Sequence, residues 1–318
     1  MQQGLQLNQR PHILVCTPGR LADHINSGNV VLNRIKYLVL DEADRLLTAA
    51  FMPNLQTIFE KLPKGRQTLL FTATMTEEIE DLGKQSSKMF KYTNHSSLTQ
   101  KTPENLLQQY IFVPSSVREA NLVNILRNKI PSNTSLIIFT SKSRTSEVLR
   151  VMLQSLNLRC TSLHSQMSQP DRLSALAKFK GNIVPILICT DVASRGLDIP
   201  AVNFVINYEL PASSTDYIHR IGRTGRAGRK GTSISICTER DIDIFQSIET
   251  ATGVKMTDYY DEGETDKAIV DLLHEVSNAR RAAALWLLET KFGEKRKVNR
   301  EKSSKHDTKK KHFAKKTQ

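Results

Sequence analysis

The chain has 318 residues, 39% of them apolar and 24% charged, which is enough for two domains with separate cores. No apolar stretch approaches the roughly 20 residues a membrane-spanning helix needs, and the opening MQQGLQLNQRPH has no hydrophobic core of a secretory signal. The net charge of +13 is uneven: from Lys291 onward 12 basic residues stand against 3 acidic ones, leaving +4 for everything before it.

In chain order, short β-branched and apolar runs predict strands at Ile13–Cys16, Leu38–Leu40, Thr68–Phe71, Leu136–Phe139, Ile186–Cys189, Phe204–Ile206 and Ser233–Cys237. Helix-patterned segments separate them. Near-continuous apolar strands alternating with helices predict an α/β fold, a parallel sheet covered on both faces. The polar stretch 92–105 reads as a linker between a first domain (1–91) and a second (106–251). An extension (252–292) follows. In it, Ile269, Leu272, Leu273, Val276, Ala279 and Ala283 recur at helical spacing over Asp266–Phe292, and Trp286 and Leu287 extend that apolar face. This helix is expected to pack on the second domain. Residues 293–318 are Lys-rich without periodicity and are expected to be disordered when unbound. Cys16, Cys160, Cys189 and Cys237 are far apart with no C-x-x-C pair, and three of them end apolar runs, so buried reduced thiols are expected.

Polar strings sit where predicted strands end. Thr17-Pro18-Gly19-Arg20 follows the first, Asp41-Glu42-Ala43-Asp44 the second and Thr72-Ala73-Thr74 the third. In the second domain come Phe139-Thr140-Ser141, then Thr190-Asp191-Val192-Ala193-Ser194-Arg195-Gly196-Leu197-Asp198, then His219-Arg220-Ile221-Gly222-Arg223-Thr224-Gly225-Arg226. Each string alone is short enough to recur by chance. Their order, at the edge where open α/β sheets present ligand-contacting loops, is specific. Two carboxylates closing a buried strand suit a water-bound Mg²⁺ and a general base. Arginines three apart, on one helical turn, suit bidentate contact with phosphate oxygens. Aromatic residues make up only 6%, so no platform for stacking bases is expected.

Over about residues 11 to 245 this ordered set resembles the DEAD-box RNA helicases. The runs TPGRLADHI, DEADRLL, RQTLLFTAT and TDVASRGLDIP are most similar to the nucleolar members that act in small ribosomal subunit assembly. The resemblance implies two RecA-like domains, ATP with Mg²⁺ between them and RNA across both. It implies that Asp41 binds Mg²⁺ through water, that Glu42 activates the attacking water, and that Arg223 and Arg226 stabilise the transferring phosphoryl group. Asp44, Thr72, Thr74 and His219 would couple the domains, and Gly196 and Asp198 would meet the nucleotide. Thr17, Gly19, Arg20, Gln169, Arg172, Thr190 and Arg195 would hold the RNA backbone without reading sequence. Thr72 stands where the family usually has serine, and Lys142 where a hydroxyl residue is common. A monomer acting on precursor ribosomal RNA, with a stimulating protein cofactor, is implied. Lys295-Arg296-Lys297 and Lys309-Lys310-Lys311 suit a nuclear address, hence nucleus and nucleolus.

No G-x-x-x-x-G-K-[ST] phosphate loop occurs in the sequence. The Gly83-Lys84 pair has Glu78 in place of the first glycine and Gln85 in place of the hydroxyl residue. Relative to the family, the first domain is therefore expected to be incomplete and truncated at its N-terminus. Little ATP hydrolysis by this chain alone is expected, and residues 1–91 are not expected to form a stable domain by themselves. Three functions fit: an ATP-dependent RNA helicase, a non-catalytic RNA-binding fragment docking on a ribosome precursor, or a related translocase on duplex DNA.

Overall fold

The computed structural model describes residues 2–72, 77–84, 105–132, 134–194, 197–225, 228–260 and 266–293. The chain divides into two compact units, Met1–Asn94 and His95–Gln318. Thr74, Arg195, Gly196, Arg226, linker residues 92–104 and the tail from 294 onward lie outside the described residues.

The first unit holds helices α1 (Gln2–Asn8), α2 (Pro18–Asn26), α3 (Ala43–Leu46), α4 (Met52–Phe59) and α5 (Glu77–Lys84) around two parallel strands, β1 (Tyr37–Leu40) and β2 (Gln67–Leu70). Its core gathers Leu21, Leu32, Leu40, Ala43, Leu47, Leu55, Ile58 and Ile79 on one side of that strand pair. On the other side the alternate residues Tyr37, Val39, Leu69 and Phe71 are exposed, at 65%, 54%, 37% and 56%. The expected strand at Ile13–Cys16 is not formed. Ile13 and Val15 are exposed, and the described strands offer this run no hydrogen-bonded neighbour. Apolar runs of this length take their conformation from a partner. Cys16 is correspondingly exposed, not buried as expected.

The second unit is a seven-stranded, all-parallel sheet in the order β5-β6-β4-β7-β8-β3-β9. Its strands are β3 (Leu106–Phe112), β4 (Leu136–Thr140), β5 (Cys160–Leu163), β6 (Ile186–Thr190), β7 (Phe204–Asn207), β8 (Gly231–Cys237) and β9 (Thr257–Asp258). Alternation along β4 shows the two covered faces. Leu136 and Ile138 join the core built with α6 (Arg118–Asn124), α7 (Ser143–Ser155) and α12 (Asp266–Glu289). Ile137 and Phe139 point the other way, into the core with α8 (Gln169–Lys180). A further cluster under α10 (Ser214–Ile221) and α11 (Ile242–Thr252) completes that side. The four-residue α9 (Asp191–Ser194) caps β6.

β3 and β5 carry no strand signal of their own in the sequence. The pair Gln108-Gln109 interrupts β3, and Gln108 is nonetheless buried, accepting a hydrogen bond from the Tyr217 hydroxyl at 3.0 Å. β5 is Cys-Thr-Ser-Leu, too short and polar to register. The C-terminal helix packs on α6 and α7, burying Val276, Ala283 and Leu287. Burial pushes the thiols of Cys160 and Cys237 up to about 12 and that of Cys189 higher still, which keeps them unreactive.

Candidate functional site

In the first unit the acidic turn is built by strand pairing. Phe71 N–H donates to Leu40 O at 2.9 Å and Ala43 N–H donates to Phe71 O at 3.0 Å, fastening the end of β2 to the turn after β1. Asp41 is exposed, and its Oδ1 accepts the Glu42 N–H at 3.0 Å. Glu42 sits at the N-terminus of α3 in the left-handed region, φ 52° and ψ 49°, which an L-residue adopts only at a cost. Its carboxylate lies 3.6 Å from the Arg45 guanidinium. Asp44 is buried, and Thr72 follows directly on Phe71. Asp41, Glu42, Asp44 and Thr72 thus share one end of the strand pair. Thr17, Gly19 and Arg20 sit at the first turn of α2, where the side chain of Arg20 reaches Gln3 at 2.6 Å.

In the second unit the centre of the site is a residue the sequence reading did not select, Arg220. Its side chain is 1% exposed. A helical side chain leans toward the helix N-terminus, so from the last turn of α10 Arg220 reaches back to the C-terminal ends of the strands. Nε and Nη2 donate to the two oxygens of Asp191 at 2.6 and 2.7 Å, a parallel fork. Nη1 donates to Glu209 O at 2.6 Å and to Asn207 Oδ1 at 3.3 Å. The guanidinium lies 5.1 Å from the centre of the Phe139 ring. Asn207 in turn donates to Ser235 Oγ at 3.1 Å, and the Glu209 carboxylate accepts the Ser141 N–H at 2.6 Å. One arginine therefore ties together the ends of β4, β6 and β7 and the helix carrying His219.

The neighbouring positions are as follows. Thr140 and Thr190 are partners across β4 and β6, and both are buried. The Thr140 hydroxyl shares a 2.6 Å hydrogen bond with Ser146 on α7, so it is engaged internally. His219 lies in the last turn of α10. The helix ends at Ile221, so Arg223 stands on the turn beyond it and not on a helical turn as the spacing had suggested. That turn is stitched to the chain entering β7. Val202 N–H donates to Arg223 O at 3.1 Å, and the Thr224 hydroxyl donates to Val202 O at 2.6 Å and Asn203 O at 3.0 Å. Gly225 has φ +67°, and a Cβ on Gly231 would collide with Thr224 and Gly225, so two glycines set the path of the arginine turn. Asp198 is 93% exposed and accepts from Lys180 Nζ at 2.6 Å. Gln169 and Arg172 form the first turn of α8 and are linked at 3.4 Å behind the Ser168 cap.

Chemically, the second unit presents a rigid polar edge. Its loops contain hydroxyls, backbone N–H groups and arginines, held by a buried charged fork.

Residues 1–82 match the DEAD/DEAH box helicase family, and residues 117–228 match the helicase conserved C-terminal domain. The chain is 45% identical over 310 residues to the ATP-dependent RNA helicase DBP8 of Yarrowia lipolytica, covering 95% of this chain and 70% of that protein. This chain belongs to the DEAD-box RNA helicases. The helicase is also 46% identical to dbp8 of Schizosaccharomyces pombe, spanning 68% of that protein's length. Among solved structures it resembles Saccharomyces cerevisiae Dbp5 bound to RNA and ADP BeF3, with 29% identity, a TM-score of 0.66, and coverage of 83% of this chain and 68% of that one. It also resembles Mss116p lacking its NTE and C-tail, bound to ssRNA and AMP-PNP, with 28% identity, a TM-score of 0.67, and coverage of 92% and 63%. The α/β class with RecA-like parallel sheets and the ATP-dependent RNA helicase family are as the sequence strings implied. Asp191 and Arg220 lay inside two of those strings. Each is a charged residue beside positions already selected, and that adjacency was the only signal the sequence offered.

Proposed function

We propose that this chain takes part in a helicase activity that couples ATP turnover to local remodelling of RNA duplexes or RNA–protein particles, with precursor ribosomal RNA as substrate and the nucleolus as its place, and that the chain by itself binds RNA but hydrolyses little ATP because its sequence holds no phosphate loop. In this reading Gln169, Arg172, Thr190 and Arg195 of the second unit, with Thr17, Gly19 and Arg20 of the first, hold RNA by its backbone. Glu42 activates water, Arg223 and Arg226 meet the phosphoryl group, and Gly196 and Asp198 meet the nucleotide. Asp44, Thr72, Thr74 and His219 report its state. Asp41 fits Mg²⁺: it is an exposed hard-oxygen donor at a strand end, suited to a hydrated ion shared with phosphates. When bound there the ion would neutralise charge on the phosphate oxygens. The ribosomal substrate is supported by the runs TPGRLADHI, DEADRLL, RQTLLFTAT and TDVASRGLDIP; the basic clusters after Gly293 support the nuclear address. A stimulating protein cofactor fits the same reading.

The observation that carries the proposal is the Asp191–Arg220 fork, which makes the loop after β6 and the arginine turn one rigid body. RNA held by the first is thereby mechanically joined to phosphate chemistry at the second. The test is titration of the 318-residue chain with labelled single-stranded RNA at fixed salt, alongside phosphate release from ATP. Expected are sequence-independent RNA binding, an Arg172→Ala loss that is uniform across RNA sequences, and no phosphate release above background, because the sequence holds no phosphate loop. RNA that is displaced equally well by duplex DNA would favour a DNA translocase and overturn the reading. Brisk RNA-stimulated hydrolysis would overturn the requirement for that loop.

A further inference from the structure

β5 stands at the edge of the second sheet, with β6 as its one hydrogen-bonded strand among the described residues. So short an edge strand has half of its ladder unpaired, and its end is prone to fray. Side chains of α7 take the place of the missing neighbour. Gln154 Nε2 donates to Cys160 O at 2.9 Å, and the Ser162 hydroxyl donates to Glu147 Oε2 at 2.8 Å. The same carboxylate oxygen lies 3.3 Å from Nε2 of His164, the residue just after β5. An ionised carboxylate only accepts, so Nε2 carries the hydrogen of this pair. Glu147 Oε1 accepts from Arg150 Nε at 2.9 Å and from Nη2 at 2.5 Å. A glutamate on an open helix surface would pair with Arg150 alone, three positions on, and stay in water. Glu147 is instead buried and shared among Ser162, His164 and Arg150.

α12 closes over this group from outside. The Arg150 guanidinium lies 5.5 Å from the centre of the Trp286 ring, and its Nη1 donates to Gln154 Oε1 at 2.7 Å. The Phe292 ring stands edge-on to the His164 ring, with centroids 5.6 Å apart and planes at 84°. His164 in turn begins the loop that becomes α8. Met167 N–H donates to His164 O at 3.2 Å, and Ser168 caps the helix by accepting the Asp171 N–H at 3.3 Å. Gln169 and Arg172 follow directly. The way the first turn of α8 faces therefore depends on how His164 is held.

We infer that Glu147 and His164 are positioning residues for RNA binding: the carboxylate fixes the imidazole, and the imidazole fixes the loop that aims Gln169 and Arg172. The inference rests on the proposed RNA surface at α8. Neither side chain touches RNA, since both are buried. Loss of either frees the end of β5, and Arg172 then spends part of its time away from the phosphate it would neutralise.

The test measures the affinity of the 318-residue chain for a labelled uridine homopolymer of about 12 nucleotides across a range of KCl concentrations. Arg172→Ala is expected to raise Kd roughly tenfold and to lower the slope of log affinity against log salt by about 0.7, the share of one phosphate on a single strand. Glu147→Gln and His164→Ala should each raise Kd about fivefold and lower the slope in the same direction. Added to a chain that already carries Gln169→Ala and Arg172→Ala, either should change Kd by less than about twofold. His164→Gln, whose amide can donate to Glu147 as Nε2 does, should recover most of the loss. Urea unfolding gives the folded fraction of each variant. A loss due to unfolding alone lowers the RNA bound at saturation and leaves the slope as it was. That outcome would overturn the inference, as would unchanged affinity and slope in Glu147→Gln and His164→Ala. So would a loss that adds in full to that of Gln169→Ala and Arg172→Ala. No loss in Arg172→Ala itself would remove the α8 surface and the inference with it, whereas loss there without loss in the other two removes the positioning role alone.

Discussion

Arg220 is a buried cation that donates two hydrogen bonds to one carboxylate, one to a carbonyl and one to an amide. Removing one member of such a pair strands the other, at a cost of about 3–5 kcal/mol. Arg220→Ala is expected to lower the stability of the second unit by that order in urea unfolding followed by circular dichroism. Arg220→Lys restores charge without the fork, and less than half of the loss should return. A midpoint for Arg220→Ala within about 0.5 kcal/mol of the parent would show that the fork is not stabilising. Glu147 offers a second test. Burial pushes its pKa up, but the hydrogen bonds from His164, Arg150 and Ser162 and the charge of Arg150 outweigh this and bring it down to about 2. A carboxyl depressed in the folded state stabilises fully above its unfolded value near 4.5 and loses that contribution as pH falls through about 2. The parent should therefore shed on the order of 3 kcal/mol between those two pH values through this group, and Glu147→Gln should show a shallower acid limb in urea midpoints measured against pH. Reading single residues from sequence selected polar strings at strand ends but not Arg220, which joins two of them. Burial of an arginine depends on partners 11 to 29 positions away, and no local pattern encodes it.

At the scale of elements, what the sequence revealed follows from how each strand is supported. β4 and β6, buried at every position, are continuous apolar runs and were legible. β3 and β5 were not, because a buried glutamine and a Cys-Thr-Ser run are tolerated only through specific partners such as Tyr217. Ile13–Cys16 shows the converse: apolar residues form a strand only when a neighbour supplies the ladder. The same reasoning applies to β1 and β2. Among the described strands each has the other as its sole neighbour, and one face leaves Tyr37, Val39, Leu69 and Phe71 to solvent. A two-stranded pair depends on the elements that cover it, and here helices cover one face only. Amides of Leu69 and Leu70 are expected to exchange within seconds to minutes in the 318-residue chain, while those of Ile137 and Ile188 persist for hours. Equal protection in both sets, read by hydrogen–deuterium exchange with mass spectrometry, would refute this.

At the scale of the whole molecule, the two compact units divide near Asn94, and the stretch 92–105 is polar in composition. One feature of the second unit also bears on how it is made. β3 lies between β8 and β9, pairing Leu106 with Gly231 and Gln109 with Thr257. A ribosome adding about 5–20 residues per second needs on the order of 6–24 s to travel from the first of these strands to its partner. Throughout that interval Leu106–Phe112 has emerged without its neighbours, and half of the sheet waits for the other half to be translated. A chaperone that shields short apolar segments would find its client in this nascent intermediate, well before any RNA is met.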